Sequence, residues 1–165
     1  EKLTILDKKF DLVVLKNVLE HVIEPESFLR QIVENYMEIG SVLQIEVPNE
    51  FNTLQKVAQA VHNLDEWWVA PPAHLNYFDI SSLKSLGTSL ALDCVIARAT
   101  FPMEMFLLMG KQYIGNSELG SECHSMRKKF EENLIDQGQE LLLDKIYEKL
   151  AEIGIGRQLN MFFQK

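Results

Sequence analysis

Side chains able to do chemistry gather in two short stretches of this chain. The first is Glu20-His21, which follows an apolar run, Leu12 to Leu15, cut off at Lys16-Asn17. The second is residues 65–78, Asp-Glu-Trp-Trp-Val-Ala-Pro-Pro-Ala-His-Leu-Asn-Tyr-Phe, dense in aromatics around His74. Imidazole titrates near ~6.5, so His21 and His74 are each suited to take a proton from a substrate hydroxyl or amine. Trp67 and Trp68 offer flat surfaces to a planar or sugar substrate. Each residue also has a plainer use. His21 can orient its turn through a hydrogen bond, His74 can pack within its loop, and Trp commonly anchors a core.

The totals narrow the field. A chain of 165 residues, 47% hydrophobic, suits one globular domain. The net charge of −8 argues against nucleic acid as a partner. Arg127-Lys128-Lys129 is followed at once by Glu131-Glu132 and reads as a solvated helix face. Cys94 and Cys123 show no CxxC spacing, which points to a reducing, cytoplasmic setting and excludes a thiolate zinc site. No apolar run approaches the ~20 residues that span a bilayer, and no signal-peptide pattern is visible. The start, Glu1-Lys2-Leu3-Thr4, lacks an initiator Met, as expected of a piece of something longer.

The elements that must position these residues follow from pattern. Residues 11–15 predict a buried parallel strand, on which Leu3, Ile5 and Leu6 would dock. Pro25 opens a helix to about Glu38, with Phe28, Leu29, Ile32, Val33, Tyr36 and Met37 inward and Gly40 as its left-handed cap. Residues 41–47 form a second strand stopped by Pro48-Asn49, giving a right-handed βαβ unit. Both strands end in polar residues on one sheet edge, where ligands bind in open α/β sheets.

Downstream, residues 51–64 predict a helix with Leu54, Val57, Ala58 and Val61 inward. The paired prolines exclude regular structure from 65–78, which reads as a loop over the site edge. Asp79 caps a helix with Leu83, Leu86 and Leu90 inside. Residues 92–100 form a third strand, with Cys94, Ile96 and Arg98 alternating against Val95 and Ala97. A short Met-rich helix within 101–110 packs against the loop. Helices follow at 119–134 and 139–153, the second with Leu141, Leu142, Ile146, Leu150 and Ile153 inward, and then a last strand, 158–163. Nothing suggests two domains, so 1–165 is one unit with a helical insertion at 101–155.

Phe10-Asp-Leu-Val-Val-Leu-Lys-Asn-Val-Leu-Glu-His-Val22, Glu24-Pro25 and Ile45-Glu-Val-Pro-Asn49 resemble the second half of a class I S-adenosylmethionine-dependent methyltransferase. His74-Leu-Asn-Tyr-Phe-Asp79 is similar to that family's "HxxFFTxExL" step, and Gly156-Arg157 to Gln164 to its antiparallel last strand. The resemblance implies an α/β fold, a partial Rossmann-like three-layer sandwich. Its strands would correspond to the fourth to seventh of the family, with extra helices. It implies S-adenosyl-L-methionine held by Lys16, Asn17, Val18 and Leu19. His21 and His74 become the catalytic candidates, and Asn49, Trp67, Trp68 and Tyr77 the substrate contacts. The acceptor would be a small molecule or one of sugar or lipid type, methylated on oxygen or nitrogen.

Some relatives hold a divalent cation in the Glu20-His21 segment. Here Asn17 stands where they carry a carboxylate, and a Glu-His pair offers too few oxygens for Mg²⁺, so no metal is expected. The family's Gly-rich cofactor loop has no counterpart; Gly40, Gly87 and Gly110 are isolated. The chain is therefore expected to be a carboxyl-terminal, substrate-side portion, inactive without an upstream half. Its first strand would be an exposed edge open to homo-oligomer formation. Two alternatives stand: a non-catalytic interaction or regulatory domain derived from this fold, and a different doubly wound, nucleotide-binding enzyme.

Overall fold

Residues 7–165 are described by the computed structural model; Leu3, Ile5 and Leu6 lie outside them. Strand β1, Leu12–Lys16, leads through a short 3₁₀ turn at Leu19–His21 into helix α1, Pro25–Tyr36. Strand β2, Val42–Pro48, pairs with β1 in parallel, completing the βαβ unit. Helices α2, Thr53–His62, and α3, Ile80–Ser89, flank the aromatic loop. Strand β3, Asp93–Ala99, precedes helices α4, Glu104–Leu108, α5, Ser117–Asp136, and α6, Glu140–Glu152. Strand β4, Gln158–Gln164, runs antiparallel between β2 and β3, so the sheet order is β1-β2-β4-β3. The parallel strands β1, β2 and β3 all end on the edge where β4 begins. This is the expected mixed α/β, partial Rossmann-like arrangement with its last strand antiparallel.

One sheet face carries the core. Leu15, Leu43, Ile45, Val47, Leu159, Met161 and Phe163 alternate inward and share a buried cluster with Leu29, Ile32 and Val33 of α1 and Leu83 of α3. Gly87 lets α3 press onto the sheet: a Cβ there would sit 2.6 Å from Phe163 Cδ1. Gly156, at φ +121°, does the same where the chain enters β4 against Ala99 and Thr100.

The other face is covered only in part. Helix α6 lies against β3, where Arg98 pairs with Asp144 at 2.9 Å and Glu148 at 3.5 Å. Over β1 no described element covers the sheet, and Leu12 and Val14 are 52% and 51% exposed. The expectation of a buried strand is thus corrected, since one face of β1 is open, while its position at the sheet edge is the one expected.

Several inward faces also differ from expectation. Helix α1 ends at Tyr36, because Met37 turns extended; Gly40, at φ +94°, serves the Glu38–Ser41 turn instead of capping the helix. In α2, Val57 and Val61 are exposed, and Gln55 and Ala58 face inward. That helix packs on α4 through polar contacts, among them His62 Nε2 to the Leu107 carbonyl at 2.8 Å. The Met-rich segment thus rests on α2. In α6, Leu141, Leu142 and Ile153 are exposed, while Leu143 and Ala151 are buried. Ion pairs to Arg98 and the Tyr147–Glu131 hydrogen bond set that rotation. A register shift between Cys94 and Ile96 puts Cys94 and Ala97 on the core face and Ile96 and Arg98 on the other, which breaks the expected alternation.

Candidate functional site

The chain leaves β1 by a sharp turn. Asn17 takes φ +51°, which Asn tolerates better than most residues, and its amide donates to the Glu46 carbonyl at 2.8 Å. Leu19, fully buried, pins the following 3₁₀ turn to the core. That rotation sends the Glu20 carboxylate inward, 2% exposed, and leaves His21 at the surface.

The aromatic loop is fastened onto this turn. Backbone amides of Leu75 and Asn76 donate to the Glu20 carbonyl at 2.7 and 3.1 Å. The Asn76 side chain donates to the carbonyls of Leu19, at 3.2 Å, and Val22, at 2.6 Å. At its far end, Phe78 forms a parallel bridge with Asn49. Trp68, 3% exposed, is wedged beside Trp67 and Phe51. Tyr77 packs edge-on against Phe51, and its hydroxyl accepts from the Ala70 amide at 3.2 Å.

These fastenings bring the two histidines together. The rings of His21 and His74 meet edge-on, 5.1 Å between centroids. His21 Nδ1 lies 2.6 Å from the Ala73 carbonyl. A carbonyl only accepts, so Nδ1 carries the proton and Nε2 is left towards Glu20 Oε1, 3.8 Å away. Glu20 Oε2 and His74 Nδ1 are buried without hydrogen-bond partners.

Other sequence candidates have structural duties. Asn49 is 1% exposed, and its amide donates to the carbonyls of Gly154 and Gly156 at 3.3 and 3.1 Å. It staples β2 to the segment entering β4. Trp68 is likewise a buried anchor for the loop, and Leu19 contributes its backbone while its side chain fills the core. Lys16, exposed, pairs with Glu46 at 3.1 Å, and Gln158 donates to Asn17 Oδ1 at 3.4 Å. Trp67 and Tyr77 remain partly accessible on the loop.

Beside the end of β2 lies a buried acidic group that patterning did not single out. Gln55 donates to Glu50 at 3.3 Å, within the Asn52–Gln55 capping box that starts α2. Glu104, fully buried on α4, is only weakly met by the Gln55 side chain, and its nearest cation is Arg157, at 3.9 Å. Burial pushes both carboxyl groups above the usual carboxylate range, and Arg157 offsets this only in part. Burial with the nearby Glu104 charge also raises the Tyr113 hydroxyl. Next to this group a cleft of about 480 Å³ opens, lined by Lys16, Thr100, His124, Arg127, Arg157 and Gln158. It lies between α5 and the carboxyl edge of the sheet.

A methyltransferase-domain family model matches residues 1–95, more than half of the chain. The chain belongs to that family. The matched region holds the βαβ unit, the 3₁₀ turn, the aromatic loop and α3. No curated protein matches the sequence. Solved structures similar to this methyltransferase chain include an S-adenosylmethionine-dependent methyltransferase from Archaeoglobus fulgidus, at 17% identity and a TM-score of 0.48. A putative sarcosine dimethylglycine methyltransferase from Galdieria sulphuraria shows 14% and 0.46. A cyclopropane synthase from Mycobacterium tuberculosis shows 14% and 0.47. These alignments cover 96%, 96% and 97% of this chain and 61%, 54% and 57% of the other chains. The methyltransferase chain thus spans little more than half the length of those structures.

S-adenosylmethionine is the cofactor that the family implies, and the Lys16–Leu19 turn, at the carboxyl edge of β1, is the part of this chain that could meet it. Among the described residues no glycine-rich cradle exists: Gly40, Gly110, Gly115, Gly138 and Gly154 are single turn glycines with open space around them.

Proposed function

We propose that this chain forms the acceptor side of an S-adenosylmethionine-dependent methyltransferase acting on oxygen or nitrogen of a small molecule. The observation that carries the reading is the closure of the aromatic loop onto the turn after β1. That closure sets His21 and His74 together at the carboxyl edge of the sheet. The methyl donor supplies an already activated electrophile, so the protein has to align the acceptor, exclude water and receive a proton. With His21 Nδ1 held by the Ala73 carbonyl, Nε2 is the nitrogen left to exchange a proton. Trp67 and Tyr77 line the acceptor side, and the Lys16–Leu19 backbone faces the cofactor.

In this reading 1–165 is a carboxyl-terminal unit, with 101–155 as an insertion that covers the acceptor cleft. The open face of β1 supports completion by upstream strands of the native protein. The same open face also favours the second reading, a non-catalytic interaction domain. Calorimetric titration of S-adenosylmethionine and S-adenosylhomocysteine into this chain and into the native full-length protein separates the two. Binding to the full-length protein, and weakly or not at all to this chain, is the expected result. Binding to neither would overturn the enzyme reading.

A further inference from the structure

We propose that the cleft between α5 and the carboxyl edge of the sheet binds a small carboxylic acid with an apolar body, its carboxylate held by Arg157. Taking that acid as the methyl acceptor rests on the proposed function. At about 480 Å³ the cleft has the size usual for small-molecule sites.

The backbone of Arg157 is fixed at this edge. Its amide donates to the Thr100 carbonyl at 3.2 Å, and its carbonyl accepts from the Asn49 amide at 3.1 Å. The residues that follow β2 and β3 thus clamp it from both sides. Its guanidinium makes no hydrogen bond among the described residues. The nearest carboxylate oxygen, Glu104 Oε1, is 3.9 Å away, past hydrogen-bond reach. The two side chains are also segregated, Arg157 being 43% exposed and Glu104 0%. Burial holds the Glu104 and Glu50 carboxyl groups above the usual carboxylate range, which weakens their hold on the Arg157 charge.

The other cations of the cleft already have partners. Lys16 pairs with Glu46 at 3.1 Å, and Arg127 meets both oxygens of Glu131 at 2.9 Å. His124 Nε2 accepts from the Arg127 guanidinium at 3.4 Å. One poorly matched cation calls for one negative charge, which suits a carboxylate better than a phosphate dianion. The planar fork of Arg157 fits the two carboxylate oxygens. Thr100 Oγ1 accepts from the Gln158 amide at 3.1 Å, which leaves the hydroxyl proton for one of those oxygens. Phe101 and Met103 supply the apolar wall, and Phe101 is backed by Phe106 and Phe130, with 5.5 and 5.9 Å between ring centroids. A guanidinium draws charge from the oxygens it holds. The carboxylate is therefore the handle, and another oxygen or nitrogen of the acid takes the methyl group. Lys16, which opens the turn given to the cofactor, lines the same cleft.

The test is an NMR titration of hydrocinnamate, octanoate, the neutral amide of hydrocinnamate and phenyl phosphate into ¹⁵N-labelled native full-length protein. At least one acid should bind about tenfold or more tighter than the amide, with shifts at Thr100, Arg157 and Gln158. Arg157→Gln should remove that preference and Arg157→Lys should restore part of it, while Arg30→Gln on α1 should bind as wild type does. Since Arg157 also faces Glu104, the double variant Arg157→Gln with Glu104→Gln guards against a folding defect and should lose the preference equally, with circular dichroism as the check. Absence of acid binding, a preference that survives without Arg157, or tighter binding of phenyl phosphate than of both acids would overturn the assignment. Should S-adenosylmethionine bind while the acid preference is absent, the carboxylate cleft alone falls. Should the preference and its dependence on Arg157 hold while S-adenosylmethionine does not bind, the cleft stands and the enzyme reading falls.

Discussion

Asn76 is the residue on which the site's geometry turns. Its side chain spans two carbonyls of the turn after β1, and its own amide reaches a third, that of Glu20. Removing the side chain leaves the Leu19 and Val22 carbonyls without that donor, at a cost of roughly 1–3 kcal/mol. Asn76→Ala is therefore expected to lower the thermal midpoint by several degrees and to open the aromatic loop to protease first. An unchanged cleavage pattern would show that the loop is held elsewhere. Glu104 acts in the opposite direction. Its carboxyl group titrates above its ordinary 4.5 because burial disfavours the charge. The folded state then holds more protons than the unfolded state from pH 4.5 up to the raised value, so stability falls as pH rises through that window. Glu104→Gln should stabilise the protein near neutrality, by an amount on the order of 1–3 kcal/mol, and the gain should vanish below about pH 4.5. Denaturant melts at pH 4 and pH 7 read this directly; a destabilised variant at pH 7 would point to a favourable Glu104–Arg157 pair.

At the scale of elements, the strands and the first helix were legible because their signals are local. Leu29, Ile32, Val33 and Tyr36 recur at helical spacing and are buried as expected, and Asp79 caps α3 through the Ser82 amide at 2.7 Å. The pairing of His21 with His74 was not legible, since 52 residues separate His21 from Ala73, its fixed partner, and only the folded loop closes that gap. Helix faces failed where polar contacts decide the rotation. In α2 a buried Gln55 takes the place that Val57 and Val61 were expected to fill, because it completes the capping box and reaches Glu50. In α6 charged partners on β3 and α5 outweigh a leucine run. Asn49 looked like a substrate contact because it ends a strand at the right edge. Its two glycine carbonyl partners lie more than 100 residues downstream, beyond any local pattern.

On the scale of the whole molecule, the sheet is finished on one face and open over β1 on the other. Leu12 and Val14 expose apolar surface along a strand whose second edge has no partner among the described residues. Such an edge pairs with another chain unless something covers it. This chain, prepared as it stands, is expected to self-associate through β1. Leu12→Lys with Val14→Lys should return it to monomers in light scattering, without loss of helical signal. A wild-type monomer at high concentration would mean that the edge is protected by another route. If upstream elements of the native protein cover the same surface, the wild-type protein should be a monomer, and the two lysines, buried there, should destabilise it.

In the proposed function, the turn after β1 faces a methyl-donor cofactor while the aromatic loop holds the acceptor beside it. The most direct measurement is an NMR titration of S-adenosylhomocysteine into ¹⁵N-labelled native full-length protein. Amide shifts centred on Lys16 to Leu19, with a smaller response at Leu75 and Asn76, are the predicted result. Shifts absent from that turn, or confined to the open face of β1, would contradict it.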